Sequence, residues 1–274
     1  MIDKPRDYAY AGQIKEAIRL EGQAKALEKI IEKELEILHL KPNMKALDAG
    51  CGTGFITRIM ALKVFPGKVH GIDIDPIFID TAKKLALMKG IENTQFELGN
   101  IDNLKYENGT FDLSYCRLVL MHVKNPVKTI LELKRVTKKR GTIAASDNDD
   151  GVLISFPNTP KLLLLWSKFN AWAKNRGEDR YIGRKLFSIF SEAGMNSIRI
   201  YPIPIFATQQ NPDALKMLVT VPIKLIQQDK NAMIKKGIIT AKDYEEAMRE
   251  VELALTHPGA FAMGLNILAT GKVR

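Results

Sequence analysis

Cysteine is scarce: among 274 residues only Cys51 and Cys116 occur. Two thiols cannot build a disulfide framework or a cysteine-based metal site, and a reducing cytosol is the simple inference. Long apolar runs are missing too. None reaches the roughly 18 residues that cross a bilayer. The opening stretch, MIDKPRDYAY, is polar and lacks the apolar core of a secretory signal. A cytoplasmic protein with no membrane partner is expected. Acidic residues are in deficit, 31 against 41 basic ones, for a formal charge of +10. Such an excess suits an anionic partner such as RNA. No long basic run and no interleaved aromatics accompany it. The densest cluster, VTKKRG (136–141), closes a helical stretch, where cations complement the helix dipole. Lysines scattered for solubility are the simpler reading, and nucleic acid is not the expected partner.

What is present suits a globular protein. Hydrophobic residues make up 46% of the chain and charged ones 26%, enough to bury a sizeable core. Apolar residues recur at helical spacing over residues 12–39, from Ile14 and Ile18 to Leu35 and Leu38, and Pro42 follows them. Short apolar runs then alternate with helical patterns. KALDAG, KVHGID (68–73), TQFELG (94–99), FDLSYC (111–116) and GTIAASD (141–147) read as strands. Helices are expected over 54–64, 76–90 and 125–139. Alternation at these lengths predicts a parallel sheet covered on both faces. Beyond residue 150 the character changes. Helices are expected at 160–177 and 184–194, and two or three more over 212–256, with Pro222 and Gly237 as breaks. Strands are expected at 196–205 and 261–273. The organisation that results is a lid helix (1–40), a core (41–150) and further core strands (151–274). Helical cap insertions fall at 160–195 and 206–257, within a single domain overall.

One stretch is richest in chemistry: LDAGCGTG (47–54) sits where a strand turns into a helix. Glycine lets backbone approach a ligand closely, and a helix N-terminus offers N–H groups to an anion. A dinucleotide loop of the form G-x-G-x-x-G would need its third glycine at position 55, where Phe55 stands. The spacing here is G-x-G-x-G, with Asp48 two residues ahead.

LDAGCGTG resembles the first motif of the class I S-adenosylmethionine (SAM) dependent methyltransferases. GIDIDP (71–76) resembles their second, and 98–126 and 133–147 resemble the stretches through their fourth and fifth strands. YAYAGQIKEAIRLEGQ (8–23) resembles the N-terminal lid of a small-molecule subgroup of the UbiE/arsenite type, and Ala11 stands where that subgroup often has glycine. The resemblance implies an α/β fold: a Rossmann-like seven-stranded, mostly parallel sheet with its last strand antiparallel and helices on both faces, plus a helical cap. It implies SAM as cofactor. Asp73 would accept from the ribose hydroxyls, with Ile74 beside it. Gly50, Gly52 and Gly54 would flank the methionine portion. Asp48 would shape the loop or meet the amino group. Asn100 and Ile101 would read the adenine, and Tyr8, Arg19, Gln23 and Cys116 complete the expected cofactor set. Arg19 and Gln23 read equally well as plain helix surface, and Cys116 as a small core residue.

Methyl transfer from a sulfonium needs an aligned nucleophile and a route for its proton. Candidates lie at the strand ends: His122 as general base, Arg117 as an orienting cation, and Asp147. His122 also fits a structural role on a packed turn. The run SDNDDG (146–151) offers three carboxylates, but no metal is expected. No NPPY-like tetrapeptide follows the fourth strand, where SYCR stands, and no Pro-Cys nucleophile exists. These absences argue against adenine or glutamine amino methylation and cytosine C5 chemistry. The cap's apolar residues, among them Phe156, Trp166, Phe169, Trp172, Phe206 and Met217, suggest a pocket for a small organic substrate. A homodimer remains open. The alternatives are a tRNA or rRNA methyltransferase, an NAD(P)-binding oxidoreductase, and a catalytically silent partner subunit.

Overall fold

The computed structural model describes residues 14–274. In chain order the elements are α1 (Ile14–Ala26), α2 (Glu28–Ile37), β1 (Lys45–Ala49), α3 (Phe55–Val64), β2 (Lys68–Asp73), α4 (Pro76–Met88), β3 (Thr94–Leu98), β4 (Phe111–Arg117) and α5 (Pro126–Val136). They continue with β5 (Thr137–Phe156), α6 (Pro160–Asn175), α7 (Leu186–Glu192), β6 (Asn196–Thr208), α8 (Pro212–Lys235), α9 (Ala241–Thr256) and β7 (Phe261–Lys272). The chain divides into two compact units. One comprises Met1–Asp147, Lys185–Tyr201 and Leu268–Arg274, the other Asn148–Arg184 and Pro202–Ile267. Residues 185–195, expected within the first cap insertion, belong to the first unit.

The seven strands run in the order β3-β2-β1-β4-β5-β7-β6, with the last strand antiparallel. β1 pairs in parallel with β2 and β4, β2 with β3, and β4 with β5. The order reverses between β1 and β4, which creates the crevice at the strands' C-terminal ends where open α/β sheets bind ligands. Strands buried on both faces explain the near-continuous apolar runs. Leu47, Val69, Leu113, Tyr115 and Ile143 are fully buried, each large one contributing about 1.5–3 kcal/mol.

Local chemistry sets the helix starts. Asp75 accepts a hydrogen bond from the Ile77 N–H at 2.8 Å ahead of Pro76, and Asn125 accepts from the Lys128 N–H at 3.0 Å ahead of Pro126. Two expectations are corrected. The long N-terminal pattern is two helices, α1 and α2, meeting near Leu27. Pro222 does not break its helix but lies buried inside α8.

The second unit has its own apolar core, built by Leu162, Leu165 and Phe169 of α6, Val219, Ile223 and Ile226 of α8, and Val251 of α9. Trp166 and Phe169 stack at 5.2 Å between ring centroids and are buried, so they pack this core; Phe156 and Phe206 are exposed. Arg180 lies over both stacked rings and pairs with Asp150 at 2.6 Å. Asp149 pairs with Arg184, also at 2.6 Å. The carboxylates of Asp149 and Asp150 are thus occupied by guanidinium groups. Among the described residues no His, Cys, Asp and Glu group is arranged to hold a metal ion, and no helix is long and apolar enough to cross a membrane.

Candidate functional site

The glycine loop leaves β1 with Gly50, Gly52 and Gly54 all in the left-handed region, at φ +79°, +52° and +74°. Close packing accounts for two of them. A Cβ on Gly50 would stand 2.4 Å from a methyl of Val119, and one on Gly54 would stand 2.7 Å from the Phe96 ring. Gly52 differs. Among the described residues nothing but Leu20 Cδ1 comes within 4 Å of its would-be Cβ, so a ligand can draw near that backbone.

Asp73 ends β2 and reaches across to this loop. Its Oδ2 accepts from the Gly52 N–H at 2.8 Å, and its Oδ1 accepts from the Asp75 N–H at 3.0 Å. Burial pushes Asp73 above its ordinary value, and the backbone donors at Asp75, Gly52 and Ile74 pull it back. Each oxygen keeps a further lone pair, enough to accept from two vicinal hydroxyls. Asp48 is buried in β1 and accepts from the Thr57 hydroxyl at 2.6 Å. Burial raises its carboxyl to about 7.

Helix α1 lies against the loop. Glu21 Oε2 accepts from the Thr53 hydroxyl at 2.7 Å, and its Oε1 pairs with the buried Arg58 of α3. Arg58 in turn donates to the Thr53 carbonyl at 2.7 Å. Arg19 is turned inward on its own helix: Nε and Nη2 donate to Glu16 at 2.7 and 2.5 Å, and Nη1 donates to Gln23 Oε1 at 2.6 Å. Tyr8 lies outside the described residues.

A family model described as a methyltransferase domain matches residues 40–194, more than half of the chain. The chain belongs to the methyltransferase-domain family. It is 36% identical over 118 residues to an uncharacterized methyltransferase of Schizosaccharomyces pombe, covering 40% of this chain and 42% of that protein. It is 26% identical over 181 residues to a demethylmenaquinone methyltransferase of Bacillus cytotoxicus, covering 61% of this chain and 76% of that one. Among solved structures, Haemonchus contortus phosphoethanolamine N-methyltransferase 2 in complex with SAM superposes with a TM-score of 0.58. That match has 17% identity and covers 90% of this chain and 53% of the other, a likeness of fold. The chain spans less than half the length of the S. pombe protein and about half that of a Streptomyces fradiae transposon protein, to which it is 29% identical over 182 residues.

In this methyltransferase-family chain the remaining expected residues are distributed as follows. Ile74 is partly exposed beside Asp73. Asn100 Oδ1 accepts from the Asp102 N–H at 2.8 Å, and Ile101 stands in the same turn. Cys116 is fully buried in β4, and burial raises its thiol well above the ordinary value. His122 closes a short 3-10 turn over Leu120–His122. Asp147 Oδ2 accepts from the Leu120 N–H at 3.2 Å, while its Oδ1 is buried without a partner. Burial brings Asp147 up to about 7, against the pull of backbone donors at 119–121.

Arg117 is register-paired with Ser146, so strand alternation separates it from Asp147. Its Nε donates to Glu34 Oε2 at 3.0 Å, and Glu34 also accepts from the Tyr115 hydroxyl. Glu34, Tyr115 and Arg117 are all buried. Sequence reading missed Glu34, Glu21 and Arg58. A glutamate at a core position of α2's apolar stripe was the available signal for the first of them.

Proposed function

We propose that the chain transfers a methyl group from SAM to a small organic acceptor. One observation carries the reading: the open backbone at Gly52 and the carboxylate of Asp73 meet, 2.8 Å apart, at the C-terminal ends of β1 and β2, next to the switch point of the sheet. The residues suit an adenosyl sulfonium. Asp73 has lone pairs for the ribose hydroxyls. Gly50 and Gly52 flank the methionine portion, Asp48 stands near its amino group, and Asn100 and Ile101 serve the adenine. Ile74, next to Asp73, and Cys116 of β4 complete the proposed set. When bound, the cofactor supplies an activated methyl on a positively charged leaving group.

The chain's own residues then hold the acceptor and take its proton. Asp147 and His122 are the groups proposed for the proton. A carboxyl held near 7 is half ionised at neutral pH and accepts a proton without a large mismatch. Two free, buried cysteines suit a reducing compartment such as the cytoplasm.

A thermal-shift comparison tests the reading. A ligand at 100 times its dissociation constant stabilises the native state by about 2.7 kcal/mol. SAM or S-adenosylhomocysteine is expected to raise the midpoint and NAD to leave it unchanged. A shift with NAD alone overturns the assignment in favour of an oxidoreductase.

A further inference from the structure

The cofactor's amino-acid end carries a carboxylate, and Arg19 is the cation in the expected cofactor set. In the structure Arg19 donates to Glu16 and Gln23. A second cation, Arg117, ends β4, the strand paired with β1. β1 and β4 are parallel, with Asp48 opposite Tyr115. Continuing that register by two residues brings Gly50 beside Arg117. The contact between Gly50 and Val119 fits this placement, because Val119 lies two residues beyond Arg117. Register partners share a face, so Asp48, Tyr115 and Arg117 point to the same side of the sheet. On that side the strands carry the carboxylate of Asp48 and the guanidinium of Arg117, the latter held by Glu34.

The guanidinium is buried, its Nε is held by Glu34, and its Nη2 is buried without a hydrogen-bond partner. A buried donor left unpaired is costly, and a bound carboxylate satisfies it. Glu34 is fully buried on α2 and has the Tyr115 hydroxyl as a second donor, which fixes its carboxylate in one orientation. Neither side chain turns freely: Arg117 is anchored at one nitrogen and presents another.

Resting on the SAM reading above, we infer that Arg117 binds the α-carboxylate of the cofactor through Nη2, and that Glu34 is the positioning residue that aims it. Asp48, on the same face, takes the ammonium. A cofactor lacking the amino-acid end gains nothing from either group.

Isothermal titration with two probes tests this: S-adenosylhomocysteine, which has the amino-acid end, and 5′-methylthioadenosine, which lacks it. Arg117→Met and Glu34→Gln are expected to weaken S-adenosylhomocysteine on the order of tenfold to a hundredfold, the size of a lost charge-assisted hydrogen bond. Methylthioadenosine affinity stays within about twofold of wild type. Arg117→Lys recovers part of the loss. Because one half of a buried ion pair is poorly tolerated alone, the double variant Glu34→Gln/Arg117→Met, which removes both charges, is measured alongside. It is expected to give the same selective loss. Unchanged S-adenosylhomocysteine affinity, or equal losses for both probes, overturns the inference. A wild-type protein that binds neither probe overturns the SAM reading itself, a different outcome.

Discussion

Gly50 and Gly52 are two residues apart in one loop, both in left-handed backbone, yet alanine should act differently at each. At Gly50 the added methyl would lie 2.4 and 3.2 Å from the two methyls of Val119, so the loop or Val119 must give by about an ångström. Overpacking of this kind costs about 1–3 kcal/mol, and the left-handed backbone costs an L-residue about 1–2 kcal/mol more. Gly50→Ala should lose about 2–5 kcal/mol. At Gly52 the nearest atom among the described residues stands 3.9 Å away, which is ordinary contact, so only the backbone cost of about 1–2 kcal/mol remains. That methyl occupies the place proposed for the cofactor, and Gly52→Ala should weaken SAM binding at least tenfold. Urea unfolding followed by circular dichroism gives the first quantity and calorimetric titration the second. Two results refute the reasoning: equal stability losses in the two variants, or wild-type SAM affinity in Gly52→Ala.

Asp73→Ala removes the ribose acceptor together with the acceptor of the Gly52 N–H, and should reduce SAM affinity below calorimetric detection while the circular dichroism spectrum stays native. Glu21→Ala leaves Arg58 buried without its anion; an unfolding free energy lower by about 1–3 kcal/mol is expected from urea titration, with SAM binding weakened as α1 loses its hold on Thr53. Asp147 has a folded pKa raised from 3.8 to about 7, so the native state binds the extra proton between those values. Its contribution is present below about pH 4 and is lost as pH rises through 7, a change of about 4 kcal/mol at 1.36 kcal/mol per unit. Urea midpoints across pH 4–8 should therefore fall less steeply in Asp147→Asn than in wild type; parallel curves contradict the assignment.

Much of the sheet was legible because its signals are local. Period, length and glycine position marked β1, β2, β4 and the loop at 50–54, and the resemblance supplied the roles proposed for Asp73 and Asn100. The split between α1 and α2 was not legible, since neither proline nor glycine marks Leu27 and the apolar period runs through it. Pro222 misled in the opposite direction: tertiary burial of α8 outweighs the one backbone hydrogen bond that proline removes. The charged contacts were hidden for another reason. Glu34 finds Tyr115 and Arg117 at separations of 81 and 83 residues, and Glu21 finds Arg58 at 37. Partner choice at such distances depends on the strand order and not on any pattern within one element. Arg19 shows the converse, because partners three and four residues away were in plain view and claimed it.

The bond from the Gly52 amide to Asp73 closes a ring through β1, the bend and β2. A ring of that kind leaves residues 50–54 few free backbone torsions. A ligand bound there freezes few more, and little binding free energy is lost to ordering entropy. Association should proceed as a single bimolecular phase, with no slow rearrangement of residues 50–54 following it.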